Sequence, residues 1–127
     1  MSDNLVVVQR GYQAFATSDV ETLKTLISPT ASWHFTPAGV LQGNYRGLQA
    51  MLEFFGQLAH ETNGTFRAEP QTMAESGDHV FVFQRLTGTR KGKTLDTTSV
   101  NLFTLAGVVT GVMSFDSDHP AWADFWS

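Results

Sequence analysis

The protein is a chain of 127 residues in which 42% of residues are hydrophobic, 16% are charged and none is cysteine. This length fits one compact domain, and the apolar content excludes a disordered chain because burial of that surface offsets the entropy lost on folding. The net charge of -4 argues against a nucleic-acid binder, and the lack of cysteine excludes disulfides and thiol chemistry. No apolar run approaches the ~20 residues of a membrane span and no secretory signal is evident, so we expect a cytoplasmic protein.

The N-terminal part of the chain predicts two helices. Apolar residues at spacings of three and four predict the first helix over about residues 3–17. Ser18 and Glu21 form a capping-box pattern, which predicts that the second helix begins at Ser18. Pro29 stops this helix because proline disfavours helical geometry at the preceding residue.

A strand, a loop and a third helix are predicted next. Aromatic residues predict a short strand over residues 31–35, closed by Pro37 and Gly39. A loop rich in glycine and asparagine then extends to Gly47. The strongest helical stripe follows over about residues 48–63.

After the third helix the hydrophobic period changes to that of strands. Four strand-like segments are separated by turn residues and cover about residues 65–75, 79–87, 94–105 and 108–115. A short helix is predicted to begin near Pro120. Helices followed by an antiparallel meander define an α+β fold, with the helices on one face of a curved sheet. No linker or repeat interrupts the chain, so residues 1–127 are predicted to form a single domain.

The segment Val80 to Gln84 is apolar on both faces of its predicted strand. Both faces of such a strand are expected to be buried. The helices can cover only one of them, and a second subunit could cover the other. The sequence therefore predicts a homodimer that forms through the sheet.

Several short motifs are each loose, but their order and spacing together are specific for a fold. They cover Val7–Arg10, Ser18–Glu21, Ala31–Phe35, Leu41–Gly47, Phe54–Phe55 and Ala123–Trp126. In these motifs the chain resembles the SnoaL-like branch of the nuclear-transport-factor-2-like superfamily, which also holds ketosteroid isomerases and polyketide cyclases. The resemblance implies a cone-shaped α+β barrel, with three N-terminal helices packed in a strongly curved, mostly antiparallel sheet and a short C-terminal helix. It also implies a deep apolar pocket that suits a small, largely apolar ligand. The fold alone does not specify a reaction.

The site of a ketosteroid isomerase is only partly present. Such a site needs a carboxylate base, a tyrosine and a neutral carboxylic acid. By the resemblance, the base position falls on about Phe35 and the tyrosine position on about Gly11, with Tyr12 one residue further along. The acid position falls on about Asn101. Because phenylalanine cannot accept a proton, the steroid-type reaction is disfavoured.

Asn101 and Asp116 are the candidate catalytic residues. Alternation along residues 97–105 by itself places Asn101 on a solvent face, whereas the resemblance points it inward, where its amide could donate to a substrate carbonyl. Polyketide cyclases of the superfamily carry a catalytic aspartate in about the region of Asp116. The resemblance thus implies that Asp116, across from Asn101, acts as general acid or base. The alternative is that Asp116 lies in an exposed turn before the last helix.

The remaining candidates are expected to form the pocket walls or otherwise contact a ligand, and they are Tyr12, Trp33, Phe35, Tyr45, Phe55, Phe83, Ser99 and Val112. His34 lies between two aromatic residues that face the pocket or core, so it is expected to face away. The histidines lack the spacing of metal ligands, so no metal site is predicted, and no cofactor is expected.

Three functions remain open at this point. The leading hypothesis is a cofactor-independent protein that binds a small apolar or polyketide-like molecule and catalyses proton transfer or cyclisation through Asp116 and Asn101. The second is a non-catalytic ligand-binding or dimerisation module on the same scaffold. The third is a protein-interaction module, which would require an exposed apolar patch beyond the dimer face.

Overall fold

A computed structural model describes residues 3–36 and 41–127 of the chain. The helices of these residues are α1 (Asp3–Ala16), α2 (Val20–Leu26), α3 (Leu48–Glu61) and α4 (His119–Phe125). The strands are β1 (Ile27–Phe35), β2 (Gly43–Arg46), β3 (Arg67–Ser76), β4 (His79–Arg90), β5 (Lys93–Leu105) and β6 (Val109–Asp116). The predicted strand closure at Pro37 and Gly39 lies outside the described residues. No helix in the described part of the chain is long and apolar enough to cross a membrane.

The six strands form one curved, unclosed sheet in the order β2-β1-β6-β5-β4-β3. All neighbouring strands are antiparallel except β1 and β6, which pair in parallel. The helices pack on one face, the inner face, so the predicted α+β cone is confirmed. The parallel pair is the feature that joins the N-terminal half of the sheet to the meander.

The start of α2 differs from the predicted capping box. Ser18 has a φ of 56°, so it lies before the helix in a left-handed conformation. Asp19 is the N-cap instead, and its carboxylate accepts a hydrogen bond from the backbone N–H of Thr22 at 3.1 Å. The chain then passes directly from Leu26 into β1, which begins four residues earlier than predicted. Pro29 is accommodated because it falls in an irregular stretch of the β1–β6 pairing.

Two further predictions of local structure were wrong. The loop predicted before α3 contains strand β2, a four-residue edge strand with alternating exposed and half-buried residues. The turn predicted over residues 88–93 is shorter, because β4 and β5 pair up to Arg90 and Lys93. Lys91 and Gly92 make the turn, with φ values of 51° and 76°. Two positive φ values suit the two-residue turns that match the twist of a hairpin.

The outer face of the sheet exposes large apolar side chains. Phe81 is 43% exposed, Phe83 and Phe115 are each 42% exposed, and Met113 is 37% exposed. We call these four residues the outer apolar face. On the inner face of β4, Val80 and Val82 are fully buried. In the single chain this strand is therefore covered on its inner face only, and burial of its outer face would require the second subunit that the sequence predicts.

A buried arginine holds α4 against the sheet. The side chain of Arg90, on β4, is only 3% exposed and its Nε lies 3.1 Å from Oε2 of Glu61. Its Nη1 donates to the carbonyl oxygens of Phe125, at 3.2 Å, and Ser127, at 2.8 Å. The guanidinium also lies over the ring of Trp126, 5.7 Å from its centroid. One cation thus supplies donors to carbonyls at the end of α4 and packs on its last aromatic side chain.

Candidate ligand-binding site

The helices and the inner face of the sheet surround a cavity of about 100 Å³, which we call the inner cavity. Most of its lining is apolar, and the polar side chains in it belong to Tyr12, Trp33, Gln84, Ser99, Asn101, Ser114 and Trp122. In the described part of the chain, no carboxylate, imidazole, ammonium or guanidinium group belongs to this lining. An apolar cavity of about 150 Å³ holds benzene, so the inner cavity has room for no more than a single small ring.

The polar side chains are joined in a buried network that begins at Trp33. The indole Nε1 of Trp33 donates to Oγ of Ser114 at 2.8 Å. Ser114 Oγ in turn donates to Oδ1 of Asn101 at 2.7 Å. Strand register explains this contact, because Asn101 on β5 pairs directly with Ser114 on β6 and Trp33 lies on the neighbouring strand β1. Both Ser114 and Asn101 are buried on the inner face.

The network continues from Asn101 through α1 to β4. Nδ2 of Asn101 donates to the hydroxyl oxygen of Tyr12 at 3.0 Å, and that hydroxyl donates to Oε1 of Gln84 at 2.7 Å. Nε2 of Gln84 then donates to Oγ of Ser99 at 2.8 Å. The six side chains therefore form one unbroken sequence of hydrogen bonds across the cavity wall.

The direction of these bonds follows from the indole of Trp33. An indole can only donate, so it takes an acceptor site on Ser114 and leaves the Ser114 proton for the carbonyl oxygen of Asn101. The amide N–H of Asn101 must then donate to Tyr12, the hydroxyl of Tyr12 to Gln84, and the amide N–H of Gln84 to Ser99. Every acceptor oxygen of the network receives a hydrogen bond. In contrast, the second amide hydrogens of Asn101 and Gln84 and the hydroxyl hydrogen of Ser99 have no acceptor among the described residues.

Trp122 supplies a further unpaired donor. Its side chain is 1% exposed and lines the inner cavity, where its ring packs 5.5 Å from that of Phe35. Its Nε1 has no hydrogen-bond partner in the described part of the chain. Nε1 of Trp126 is also unpaired among these residues but does not line the inner cavity, so Trp122 is the one of these two indoles whose N–H lies at that cavity.

Tyr12 is the one residue of the described lining with an ionisable side chain. Burial raises the pKa of Tyr12 well above its ordinary value, and the hydrogen bond from Asn101 offsets only part of this rise. Its hydroxyl is therefore neutral at physiological pH, and it remains a hydrogen-bonding group rather than a base.

We expect the buried hydroxyl of Tyr12 to make the protein sensitive to alkali. Below about pH 10 the hydroxyl is protonated in the folded and unfolded chains alike, so its effect on stability is constant. Above that pH only the unfolded chain releases the proton, so the free energy of unfolding falls as the pH rises. Urea denaturation across this range should give a steeper fall for the wild type than for Tyr12→Phe. Equal slopes would mean that Tyr12 ionises normally in the folded protein.

The structure does not bring the two candidate catalytic residues together. Asn101 lines the inner cavity, but it pairs with Ser114 rather than with Asp116, which pairs with Ser99. Asp116 lies on the same face of the sheet, yet it is absent from the cavity lining. Its Oδ2 lies 3.1 Å from Nδ1 of His119 at the start of α4, and its side chain is 13% exposed. The expected pairing of Asp116 with Asn101 was therefore wrong: the residue across from Asn101 is Ser114, two positions before Asp116 on β6.

The predicted wall residues divide into two groups. Those that line the inner cavity are Tyr12, Trp33, Phe35, Phe55, Ser99 and Val112. Tyr45 does not: its ring packs 4.4 Å from that of Phe54, and its hydroxyl donates to the carbonyl of Leu41. Phe83 does not either, because Val82 and Gln84 occupy the inner face and Phe83 lies on the outer one. His34 faces outward as expected and hydrogen-bonds to Asn44.

Sequence reasoning missed three residues of the site. Gln84 and Ser114 complete the buried network, and Trp122 of α4 lines the cavity. Alternation along the strands contains a signal for the first two, because Gln84 lies between apolar residues on the inner face of β4 and Ser114 follows the buried Val112 on the inner face of β6. Gln84 follows Val80 and Val82 on the same face of β4, and it would be costly to bury there without a partner.

The chain shares its α+β fold with solved structures that are described as cystatin-like and as NTF2-like. Residues 8–109 match the SnoaL-like domain family, and the chain belongs to that family. The uncharacterized protein Rv0034 of Mycobacterium tuberculosis is 29% identical over 126 residues, which cover 98% of this chain and 96% of that protein. The solved structure of Bal32a, from a soil-derived mobile gene cassette, has 35% identity and a TM-score of 0.95, with 98% and 97% of the two chains covered. A Xanthomonas campestris protein of cystatin-like fold has 26% identity and a TM-score of 0.92, with 99% of each chain covered.

Proposed function

We propose that this protein binds a small, largely apolar molecule that carries a carbonyl or similar acceptor oxygen. The observation behind this proposal is the uneven hydrogen-bonding capacity of the inner cavity. Each acceptor oxygen of the buried network receives a bond, while hydrogens on Asn101, Gln84 and Ser99 lack an acceptor among the described residues. A ligand oxygen would satisfy these donors, and the apolar walls would bury the rest of the molecule.

The lining also favours binding over acid–base catalysis. General acid–base catalysis requires a group that exchanges a proton near neutral pH. Tyr12 is held neutral by burial, and the other polar side chains of the described lining are amides, hydroxyls and indoles. These groups can orient and polarise a carbonyl compound.

Two probe molecules of equal shape test the proposal. We expect 4-fluoroacetophenone to bind, and fluorine NMR titration can measure its affinity beside that of 4-fluoro-α-methylstyrene, in which a CH2 group replaces the carbonyl oxygen. The affinity for the ketone divided by the affinity for the alkene should fall about tenfold in Asn101→Leu, because the ketone loses one hydrogen bond. Asp116→Asn is the control and should leave the ratio unchanged. Failure of the ketone to bind the wild type, or an unchanged ratio in Asn101→Leu, would contradict the proposal.

Catalysis through Asp116 is the second candidate function. It is favoured by the position of Asp116 on the inner face, paired with Ser99 and backed by His119. Asp116 does not line the inner cavity, so it could remove a proton only from a ligand that extends past Ser99 and brings the carbon next to its carbonyl group to this carboxylate. Deuterium exchange at the methyl group of 4-fluoroacetophenone in heavy water tests this step. If the wild type accelerates this exchange and Asp116→Asn abolishes the acceleration without a change in ketone affinity, the protein is an enzyme. If the wild type does not accelerate the exchange, only the binding function remains.

We also propose that the outer apolar face pairs with the same face of a second copy of this chain. Strand register places Phe81 beside Leu102 and Met113, and Phe83 beside Val100 and Phe115, so the apolar side chains form two rows across three strands. Two sheets pack face to face through such rows. Charges of both signs lie on the neighbouring residues, as in the ion pair of Arg85 and Asp96, which suits a self-complementary partner.

A further inference from the structure

A second cavity lies beside the inner one. This outer cavity has a volume of about 330 Å³ and lies between the end of α1, α2, α3 and the start of β3. Six residues line both cavities, and they are Phe15, Leu23, Phe55, Leu58, Phe66 and Ala68. The two spaces are therefore neighbours that share one wall of side chains.

Three phenylalanine rings form much of that wall. The ring of Phe15 meets that of Phe55 edge to face at 5.3 Å and that of Phe66 at 6.4 Å. All three side chains are only half-buried. Edge-to-face contacts of this kind are worth about 1 kcal/mol each beyond burial, so rotation of one ring is a modest cost. Opening of the wall would therefore require the rotation of at least one of these rings.

The two cavities differ in chemistry. The inner cavity contains the unpaired donors, whereas the outer cavity is lined mainly by apolar side chains and glycines. Its charged lining residues are Arg67 and Glu69, which are both exposed. One end of the combined space therefore suits an acceptor oxygen, the middle suits hydrocarbon, and the far end borders on solvent.

We propose that the two cavities are halves of one binding site for an elongated apolar carbonyl compound. The carbonyl head occupies the inner cavity, and an alkyl or aryl tail passes between Phe15, Phe55 and Phe66 into the outer cavity. This inference rests on the function proposed above and defines the class of ligand by its length. It also accounts for an inner cavity that is too small for more than a single ring.

Two helical glycines provide a matched pair of test sites. Gly56 on α3 lines only the outer cavity, and Gly11 on α1 lines only the inner one. A Cβ atom built on either glycine meets no atom within 4 Å. Leucine can therefore be introduced at each position without a clash at Cβ, and it raises helix propensity. Gly56→Leu reduces the outer space, and Gly11→Leu reduces the inner space.

A series of 4-fluorophenyl alkyl ketones, from methyl to hexyl, tests the two-part site. In the wild type we expect the affinity to rise about fourfold for each added methylene, because each buries apolar surface in the outer cavity. In Gly56→Leu the methyl ketone should bind as in the wild type, while the gain with length should disappear. In Gly11→Leu every ketone should lose affinity, the methyl ketone included.

The outcomes separate this inference from the proposed function. If the methyl ketone binds but affinity does not rise with tail length, the two-part site is wrong and the inner cavity alone is the site. If the rise persists in Gly56→Leu, the tail goes elsewhere and the inference is also wrong. If no ketone binds the wild type, the proposed function is wrong, and the two-part site that rests on it is wrong as well. Circular dichroism and thermal melting of both variants ensure that loss of folding is not mistaken for loss of binding.

Discussion

Replacing Arg90 with methionine is expected to lower the free energy of unfolding by about 3 kcal/mol. The substitution keeps most of the apolar stem but removes the donors to Phe125 and Ser127. It also leaves the carboxylate of Glu61, whose side chain is 28% exposed, without its buried partner. Urea denaturation followed by tryptophan fluorescence measures the change, since Trp122 and Trp126 both lie on the segment that Arg90 holds.

The same substitution at an exposed arginine is the control. Arg10→Met changes a solvent-exposed side chain of α1, and we expect its effect on unfolding to stay within about 0.5 kcal/mol. Should Arg90→Met prove equally mild, the hydrogen bonds of Arg90 would contribute little to the docking of α4. Because Trp122 lines the inner cavity, a loosened α4 should also weaken ketone binding in Arg90→Met.

Replacing Phe83 with glutamate is expected to convert the proposed dimer into a monomer. Phe83 belongs to the outer apolar face, and a carboxylate buried there would lose its hydration without gaining a partner. The dissociation constant should rise by about a thousandfold. Light scattering at micromolar concentration should give twice the chain mass of 14.0 kDa for the wild type and the single mass for the variant.

Val6 provides the matched control for the dimer. It is an apolar residue of α1 that is 38% exposed, on an element that packs against the inner face. Val6→Glu adds the same charge away from the outer apolar face and should leave the dimer intact. A wild type that is monomeric at these concentrations would contradict the dimer, as would dissociation of both variants to the same extent.

The fold could be predicted well because its main elements have strong local patterns. The apolar stripe of α3 and the alternation of β4 each reflect burial on one side, which the residues themselves encode. Strand β2 has no such pattern: it is four residues long, begins with glycine and lies at the sheet edge, where a single neighbouring strand defines it. The N-cap of α2 is Asp19 instead of Ser18 because Ser18 adopts a positive φ, which the sequence does not specify.

The site was harder to predict because it depends on pairing between distant strands. Asn101 was placed inward only through the resemblance, since polar alternation alone predicts the opposite face. The alternation failed because the oxygens of Asn101 and Ser99 accept hydrogen bonds from other side chains of the network, which lowers the cost of burying these two residues. The partner of Asn101 on β6 depends on strand register, and a shift of two residues exchanges Ser114 for Asp116.

The parallel pairing of β1 with β6 has a consequence for how the protein is made. Trp33 and Ser114, which touch across these strands, are separated by 81 positions in the chain. At ribosomal rates of about 5–20 residues per second, β1 waits about 4–16 seconds for its neighbour to emerge. During that time one edge of β1 can pair with β2, while the other edge has no partner and the cavity does not exist. The proposed ligand would therefore find its site only after β6 has been made.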